Sequence, residues 1–236
     1  MKSRYADLEE TIGYRFRSRE GVRAAMTHPS FAAEHNGCRE DYQRLEFLGD
    51  AVIELATSNW LYERYPDAPE GKLTKLRATI ARRETLAELA RHIGLDHHVR
   101  LGRGEIENGG YTRPSILCDA FEALIGAVFV DAGKDLQTAA EVFLRLIHDV
   151  CPDVEARMTT ENPKGALQEL VQQEYGRRPD YETVETSGPE HSRQFAVEVS
   201  VNDEVVGRGE GARQRDAQQE AARQALHNRT AKEGSA

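Results

Sequence analysis

Two nearly apolar stretches, each interrupted by a pair of carboxylates at helical spacing, constrain this chain more than any other feature. The first, RLEFLGDAVIELA, runs from Arg44 to Ala56 and carries Glu46 and Asp50. The second, ILCDAFEALIGAVFV, runs from Ile116 to Val130 and carries Asp119 and Glu122. Separations of four and three residues stack side chains on one face of a helix. A helix that is apolar nearly all round belongs in a core, where an ionised carboxylate is costly unless it is paired or binds a metal. Either pair alone reads more readily as solvated or arginine-paired acids. Two such pairs in one domain favour an oxygen-lined site for a hard cation, Mg²⁺ or Mn²⁺.

The rest of the chain narrows the setting. With 236 residues there is room for one large domain or two smaller ones, and 39% hydrophobic with 30% charged residues fits a globular protein rather than a disordered one. No apolar run is long enough to span a membrane, and the start, MKSRYADLEETIGYRF, lacks the apolar centre of a signal peptide. Cys38, Cys118 and Cys151 show no C-x-x-C pairing and read as reduced thiols, so a cytoplasmic location is expected. The net charge of −9 is spread along the chain, with 21 Lys+Arg against 26 Asp+Glu in residues 1–160 and 10 against 14 in residues 161–236. Any binding of a polyanion must therefore come from local basic clusters, aided by cations or a second subunit.

Residues up to about 150 read as successive helices. The pattern predicts Leu8 to Tyr14, Arg19 to Met26, Gln43 to Tyr65 (stopped by Pro66 and Pro69), Lys72 to Ile93, Ser115 to Gly133 and Leu136 to Val150. Beyond a polar segment the character changes. A helix over Pro163 to Tyr175 precedes strands at Asp180 to Glu185, Gln194 to Val201 and Glu204 to Gly209. An Asn202-Asp203 turn joins the last two strands, and an Ala-rich helix over Arg213 to His227 follows. The expected architecture is multidomain: an all-α domain, then a small α+β unit of order α-β-β-β-α with its helices on one face of the sheet.

RLEFLGDAVIEL, EGKLTKLRA and LGRGEIENGG…SILCDAFEALIGAVFVDAG together resemble the ribonuclease III catalytic domain. NPKGALQELVQ, GPEHSRQFAVEV, VGRGEG and the Ala-rich last helix resemble a double-stranded-RNA-binding domain. The resemblance implies a catalytic domain over 1–154, a linker at 155–161, an RNA-binding domain at 162–229 and a flexible tail at 230–236. It implies metal ligation by Glu46, Asp50, Asp119 and Glu122, with catalysis assigned to Asp50 and Glu122. It further implies a homodimer that hydrolyses double-stranded RNA to 5′-phosphate and 3′-hydroxyl ends, in processing of structured precursors such as rRNA and mRNA. No membrane and no small-molecule cofactor are expected.

For the RNA-binding domain the resemblance implies three contact regions: Gln168 and Glu169 on its first helix, Pro189, Glu190 and His191 in its first hairpin loop, and Arg213, Gln214 and Arg215 at the start of its last helix. Two departures stand out. Gln43 occupies a place where the family often has Glu, and Gln214 falls where two adjacent basic residues are usual. His28 reads as a structural histidine, and LGRGEIENGG as a turn rather than a phosphate loop because no Lys-Ser/Thr follows. His97-His98 lacks zinc spacing. Lys72, Lys75, Arg77, Arg82 and Arg83 fit a solvated helix face and an RNA-backbone contact equally well. Two other functions carry weight: a binding protein that keeps the fold without catalysis, against which the four intact acids argue, and a phosphohydrolase for small nucleotides, which leaves the RNA-binding unit without a purpose.

Overall fold

The computed structural model describes residues 4–35, 37, 40–189 and 192–233. It divides into two compact units, Met1–Val154 and Glu155–Ala236. Among the described residues no helix is long and apolar enough to cross a membrane.

The first unit is helical: α1 (Ala6–Ile12), α2 (Arg19–Ala25), α3 (Pro29–Glu34), α4 (Gln43–Arg64), α5 (Glu70–Ile80), α6 (Arg83–His92), α7 (Arg103–Glu107), α8 (Pro114–Asp131) and α9 (Leu136–Val150), with short 3₁₀ turns at Leu95–His97 and Gly110–Thr112. Helix α8 is the core. From Ile116 to Val128 every residue is buried except Asp119 and Glu122, and α2, α4, α6 and α9 pack around it.

Two glycines set the distance between α4 and α8. A Cβ on Gly49 would collide with the backbone carbonyl of Glu122, and one on Gly126 would collide with the carbonyl of Leu45. Glycine within a helix costs about 1 kcal/mol relative to alanine, and here it permits backbone-to-backbone contact.

The helix expected over Lys72 to Ile93 is two helices, α5 and α6, separated at Ala81 and Arg82. Arg82 is extended (φ −74°, ψ 153°) and precedes α6, and the buried Thr85 hydroxyl donates to the Thr79 carbonyl at 2.8 Å. Neither Gly nor Pro marks the break, and the apolar residues on both sides keep helical spacing. Helix α4 also differs from expectation. It is not enclosed on all sides, since Phe47 is 81% and Leu55 53% exposed.

Segment 155–161, expected as a linker, lies within helix α10 (Val154–Glu161). The second unit then runs α11 (Pro163–Tyr175), β1 (Asp180–Ser187), β2 (Gln194–Val201), β3 (Glu204–Gly211) and α12 (Gln214–Glu233). The last helix thus continues to Glu233, into the segment 230–236 expected as tail. The sheet is antiparallel in the order β1-β2-β3. Asn202 and Asp203, both at positive φ (53° and 64°), form the β2–β3 turn, matching the right-handed twist of a tight hairpin.

The core of this unit joins Leu167 and Val171 of α11, Val197 and Val199 of β2, and Ala217, Ala221, Ala222 and Ala225 of α12. Gly207, Gly209 and Gly211, alternate residues of β3, lie against the α12 backbone near Ala217, Ala221 and Ala225, where any Cβ would meet that helix. Small residues on both surfaces let helix and strand touch.

Gly49→Ala forces α4 away from α8, and the expected loss is about 1–3 kcal/mol, the usual cost of overpacking. Urea unfolding of the metal-free protein measures it; an unchanged midpoint would contradict the contact.

Candidate active site

The four predicted acids converge where α4 crosses α8. Gly49, next to Asp50, rests on the backbone of Glu122, so the helix contact itself brings the two carboxylate pairs to one place. Their burial differs from the expectation of a fully enclosed set. Glu46, Asp119 and Glu122 are half-buried and Asp50 is exposed, so the cluster forms the rim of the helical core and stays accessible to solvent.

The electrostatics reflect mutual repulsion in a partly dry place. Burial, then the charges of Asp50, Asp119 and Glu46, push the Glu122 carboxyl up to about 7, against a hydrogen bond from Cys118. Burial, Asp119, Asp50 and Asp41 raise Glu46. Burial also raises Asp119, opposed by the Tyr42 hydroxyl, Arg83 and His28. Such a set fits a divalent cation, whose charge would offset both desolvation and repulsion. One ligand atom each of Cys118, Asp119 and Glu122 lie within 4.8 Å of one another. Of these three, the two carboxylates are the donors suited to a hard cation such as Mg²⁺; the thiol is not. Glu46 and Asp50 lie outside that tight group and reach it through their charge.

Three neighbours were not among the expected site residues. Tyr42, just before α4 and 3% exposed, donates its hydroxyl to Asp119 Oδ2 at 3.3 Å. Cys118, expected as an ordinary thiol, donates to Glu122 Oε1 at 3.5 Å. Arg83, at the first position of α6, is the cation that acts on both Asp119 and Cys118. The glycines Gly49 and Gly126 carried a usable signal, since glycine inside an apolar helix implies a close contact. Tyr42 carried none.

His28 takes the structural role expected of it. Its Nδ1 accepts the Ser30 N–H at 3.0 Å, capping α3, and its ring meets the Tyr42 ring edge-on at 5.5 Å. The glycine-rich segment 101–110 forms α7 and its approach. The Gly102 N–H donates to Ser30 Oγ and the Arg103 N–H to the Glu34 carboxylate, each near 3 Å. Gln43 is exposed at the first position of α4, its own N–H donating to Asp41 Oδ1. The five basic residues do not form one helix face, because the break at Ala81 divides them. Arg77 donates to Ser58 Oγ at 3.0 Å, Lys72 lies over the Tyr65 ring, and Arg82 pairs with Glu84 at 3.9 Å.

In the second unit the described ones among the predicted contact residues are exposed or half-exposed. Gln168 is exposed and Glu169 half-exposed on α11; Pro189 is exposed in the β1–β2 loop; Arg213, Gln214 and Arg215 are exposed at the start of α12. Glu190 and His191 lie outside the described residues. Gln214 donates to Thr183 Oγ1 of β1 at 3.0 Å. Lys164 ties the two helices, its N–H donating to Gln219 and its Nζ to Gln218 at 2.6 Å, with Nζ also 4.7 Å from the Tyr181 ring.

Residues 19–150 match the family model described as ribonuclease-III-like, and residues 163–229 match the double-stranded RNA binding motif. A protein of Thiobacillus denitrificans named Ribonuclease 3 is 44% identical over 93% of this chain and 94% of its own length. One of the same name from Pseudomonas putida is 42% identical over 96% of each. The nuclease domain of a ribonuclease III from Campylobacter jejuni, solved in a study of flexibility in a region involved in its dimer formation, superimposes with a TM-score of 0.59. It is 36% identical, over 63% of this chain and 99% of that one.

A carboxyl raised from about 4.5 to about 7 binds its proton more tightly folded than unfolded. Glu122 therefore adds stability that is complete below about pH 4.5 and lost as pH rises through about 7. Mg²⁺ binds the deprotonated form, so the gain in melting temperature on adding Mg²⁺ is expected to grow from about pH 5 to about pH 8. Thermal unfolding with Mg²⁺ or EDTA measures it; a gain that is flat with pH would count against the shared site.

Proposed function

The chain belongs to the ribonuclease III family and is a double-stranded-RNA endoribonuclease; from that premise we propose that it hydrolyses phosphodiesters with Glu46, Asp50, Asp119 and Glu122 as its metal-binding acids and Mg²⁺ as the ion. The observation that carries this reading is the convergence of both acid pairs at one crossing, with Glu122 pushed up by burial and then by its acidic neighbours. When bound, a divalent cation activates water at neutral pH and stabilises charge on the leaving oxygen. The chain's own residues hold and surround it. Glu122, Asp119 and Glu46 supply half-buried oxygens, and exposed Asp50 faces the side open to solvent and substrate. Asp50 and Glu122 are the catalytic acids in this scheme, and the cleavage leaves 5′-phosphate and 3′-hydroxyl ends.

The second unit grips the duplex in its wide minor groove through Gln168 and Glu169, with Pro189, Glu190 and His191 at a neighbouring groove and Arg213, Gln214 and Arg215 at the phosphates. Both units being acidic, grip depends on these local groups, and being on one chain raises the effective RNA concentration at the cluster. Structured precursors such as rRNA are the substrates, in the cytoplasm; Cys118 and Cys151, neither in a disulfide, suit a reducing compartment.

The working form is a homodimer across α4. Phe47 stands 81% exposed beside an open depression of ≈ 590 Å³ lined by Gln43, Arg44, Phe47 and Leu48. A knob and a hollow on one face suit a two-fold, self-matching interface. The Campylobacter nuclease domain has a region involved in dimer formation, which supports a dimer.

Cleavage of a labelled RNA duplex with Mg²⁺ or EDTA tests the chemistry. Glu122→Gln is expected to lower turnover more than about a hundredfold, beyond the loss of an outer hydrogen bond, with duplex binding kept. Unchanged turnover would remove Glu122 from the site, and binding without cutting by the parent protein would favour an RNA-binding regulator. Phe47→Glu removes an aromatic burial worth about 1.5–3 kcal/mol twice across the axis, weakening the dimer at least about a hundredfold. Sedimentation equilibrium reads this, and an unchanged dimer would place the interface elsewhere.

A further inference from the structure

We propose that Tyr42 and Cys118 are positioning residues for the cleavage reaction: each is a buried hydrogen-bond donor that holds one of the two α8 acids in the orientation that receives the cation. The inference rests on the metal-binding reading above and adds to it the groups that shape the site before an ion arrives.

Asp119 and Glu122 occupy successive turns of α8 beside Glu46 and Asp50, and like charges at this range drive one another apart. A flexible carboxylate relieves that repulsion by rotating into solvent, which would dismantle the site whenever the ion leaves. Two contacts oppose it. The Tyr42 hydroxyl donates to Asp119 Oδ2 at 3.3 Å, and the Cys118 thiol, one turn before Glu122 on the same helix, donates to Glu122 Oε1 at 3.5 Å. Each donor engages one oxygen of its carboxylate, and the other would be the one to hold an ion.

Both donors are themselves fixed. Tyr42 is 3% and Cys118 5% exposed. The Tyr42 N–H donates to the Thr27 carbonyl at 2.9 Å, its carbonyl accepts from the Glu46 N–H at 2.8 Å, and its ring lies against His28. His28 is in turn locked by the Ser30 N–H. The hydroxyl of Tyr42 therefore reaches Asp119 from a frame made of two chain segments, 27–30 and the start of α4. A phenylalanine would fill the same space, so packing alone does not account for the hydroxyl. A phenol hydroxyl and a thiol each carry one proton to donate, and a carboxylate oxygen accepts it. Ligating carboxylates held by such outer partners commonly lose 10- to 100-fold in metal affinity or activity when the partner is removed.

The test counts Mn²⁺ bound to the full-length protein without RNA, from the loss of the free-ion electron paramagnetic resonance signal. It uses the parent protein, Tyr42→Phe, Cys118→Ala and Cys118→Ser. Tyr42→Phe and Cys118→Ala are each expected to weaken Mn²⁺ binding about 10- to 100-fold, while duplex binding in EDTA stays at the parent level. Cys118→Ser restores a donor and recovers affinity lost in the alanine variant. Parent-level Mn²⁺ binding in Tyr42→Phe and Cys118→Ala overturns the proposal, as does equal weakening in the alanine and serine variants. If Tyr42→Phe unfolds, the Ala/Ser pair at 118 decides. A parent protein that binds no Mn²⁺ refutes the metal-binding reading itself, which separates the two failures.

Discussion

Backbone-to-backbone contact between α4 and α8 is the constraint on which the site depends. Gly49 and Gly126 each remove the one side-chain atom that would hold the helices apart. At an ordinary interaxial distance of 8–10 Å, acids on two helices can remain independent surface charges. Drawn closer, Glu46 and Asp50 come within electrostatic reach of Asp119 and Glu122, and the surrounding helices lock that crossing by burying α8.

The same contact explains why the acids sit at a rim. Enclosing four carboxylates in apolar protein would cost several kcal/mol for each ion left unpaired, and would exclude substrate. Half-burial is a compromise: enough desolvation to raise Glu122 and Glu46, enough exposure for solvent and a polyanion to approach. Tyr42, Cys118 and Arg83 moderate the repulsion without cancelling it, since two are neutral donors and the one cation is itself exposed.

The second unit applies the small-residue principle to a different pair of elements. Alternate glycines of β3 meet alanines spaced one turn apart on α12, so a strand of period two fits a helix whose successive turns rise about 5.4 Å. Burying only small side chains there leaves the polar ends of α11 and α12 on the surface. Asn162 caps α11 by accepting the Gly165 N–H, and Gln219 of α12 donates to the same Asn162 oxygen, so the two helix starts are held together.

Much of this was legible in the amino-acid order. The helical first unit, the α-β-β-β-α order of the second, the β2 limits and the Asn202-Asp203 turn follow from local periodicity and turn chemistry, which act over a few residues. The pairing of acids at three and four residues picked out side chains that the fold brings near one another, for the same reason. The break at Ala81 was not legible, because no Gly or Pro announces it and the apolar spacing runs through it; a tertiary hydrogen bond from Thr85 to Thr79 accompanies it. Nor were the exposed side of α4, the helical state of 154–161 and the donors Tyr42 and Cys118 apparent. Sequence determined which residues carry charge and which faces are apolar, since those are properties of individual side chains and their spacing. Tertiary structure alone decided that Tyr42 meets Asp119 across 77 positions of chain and that Phe47 stays exposed, because both depend on where separate helices come to rest.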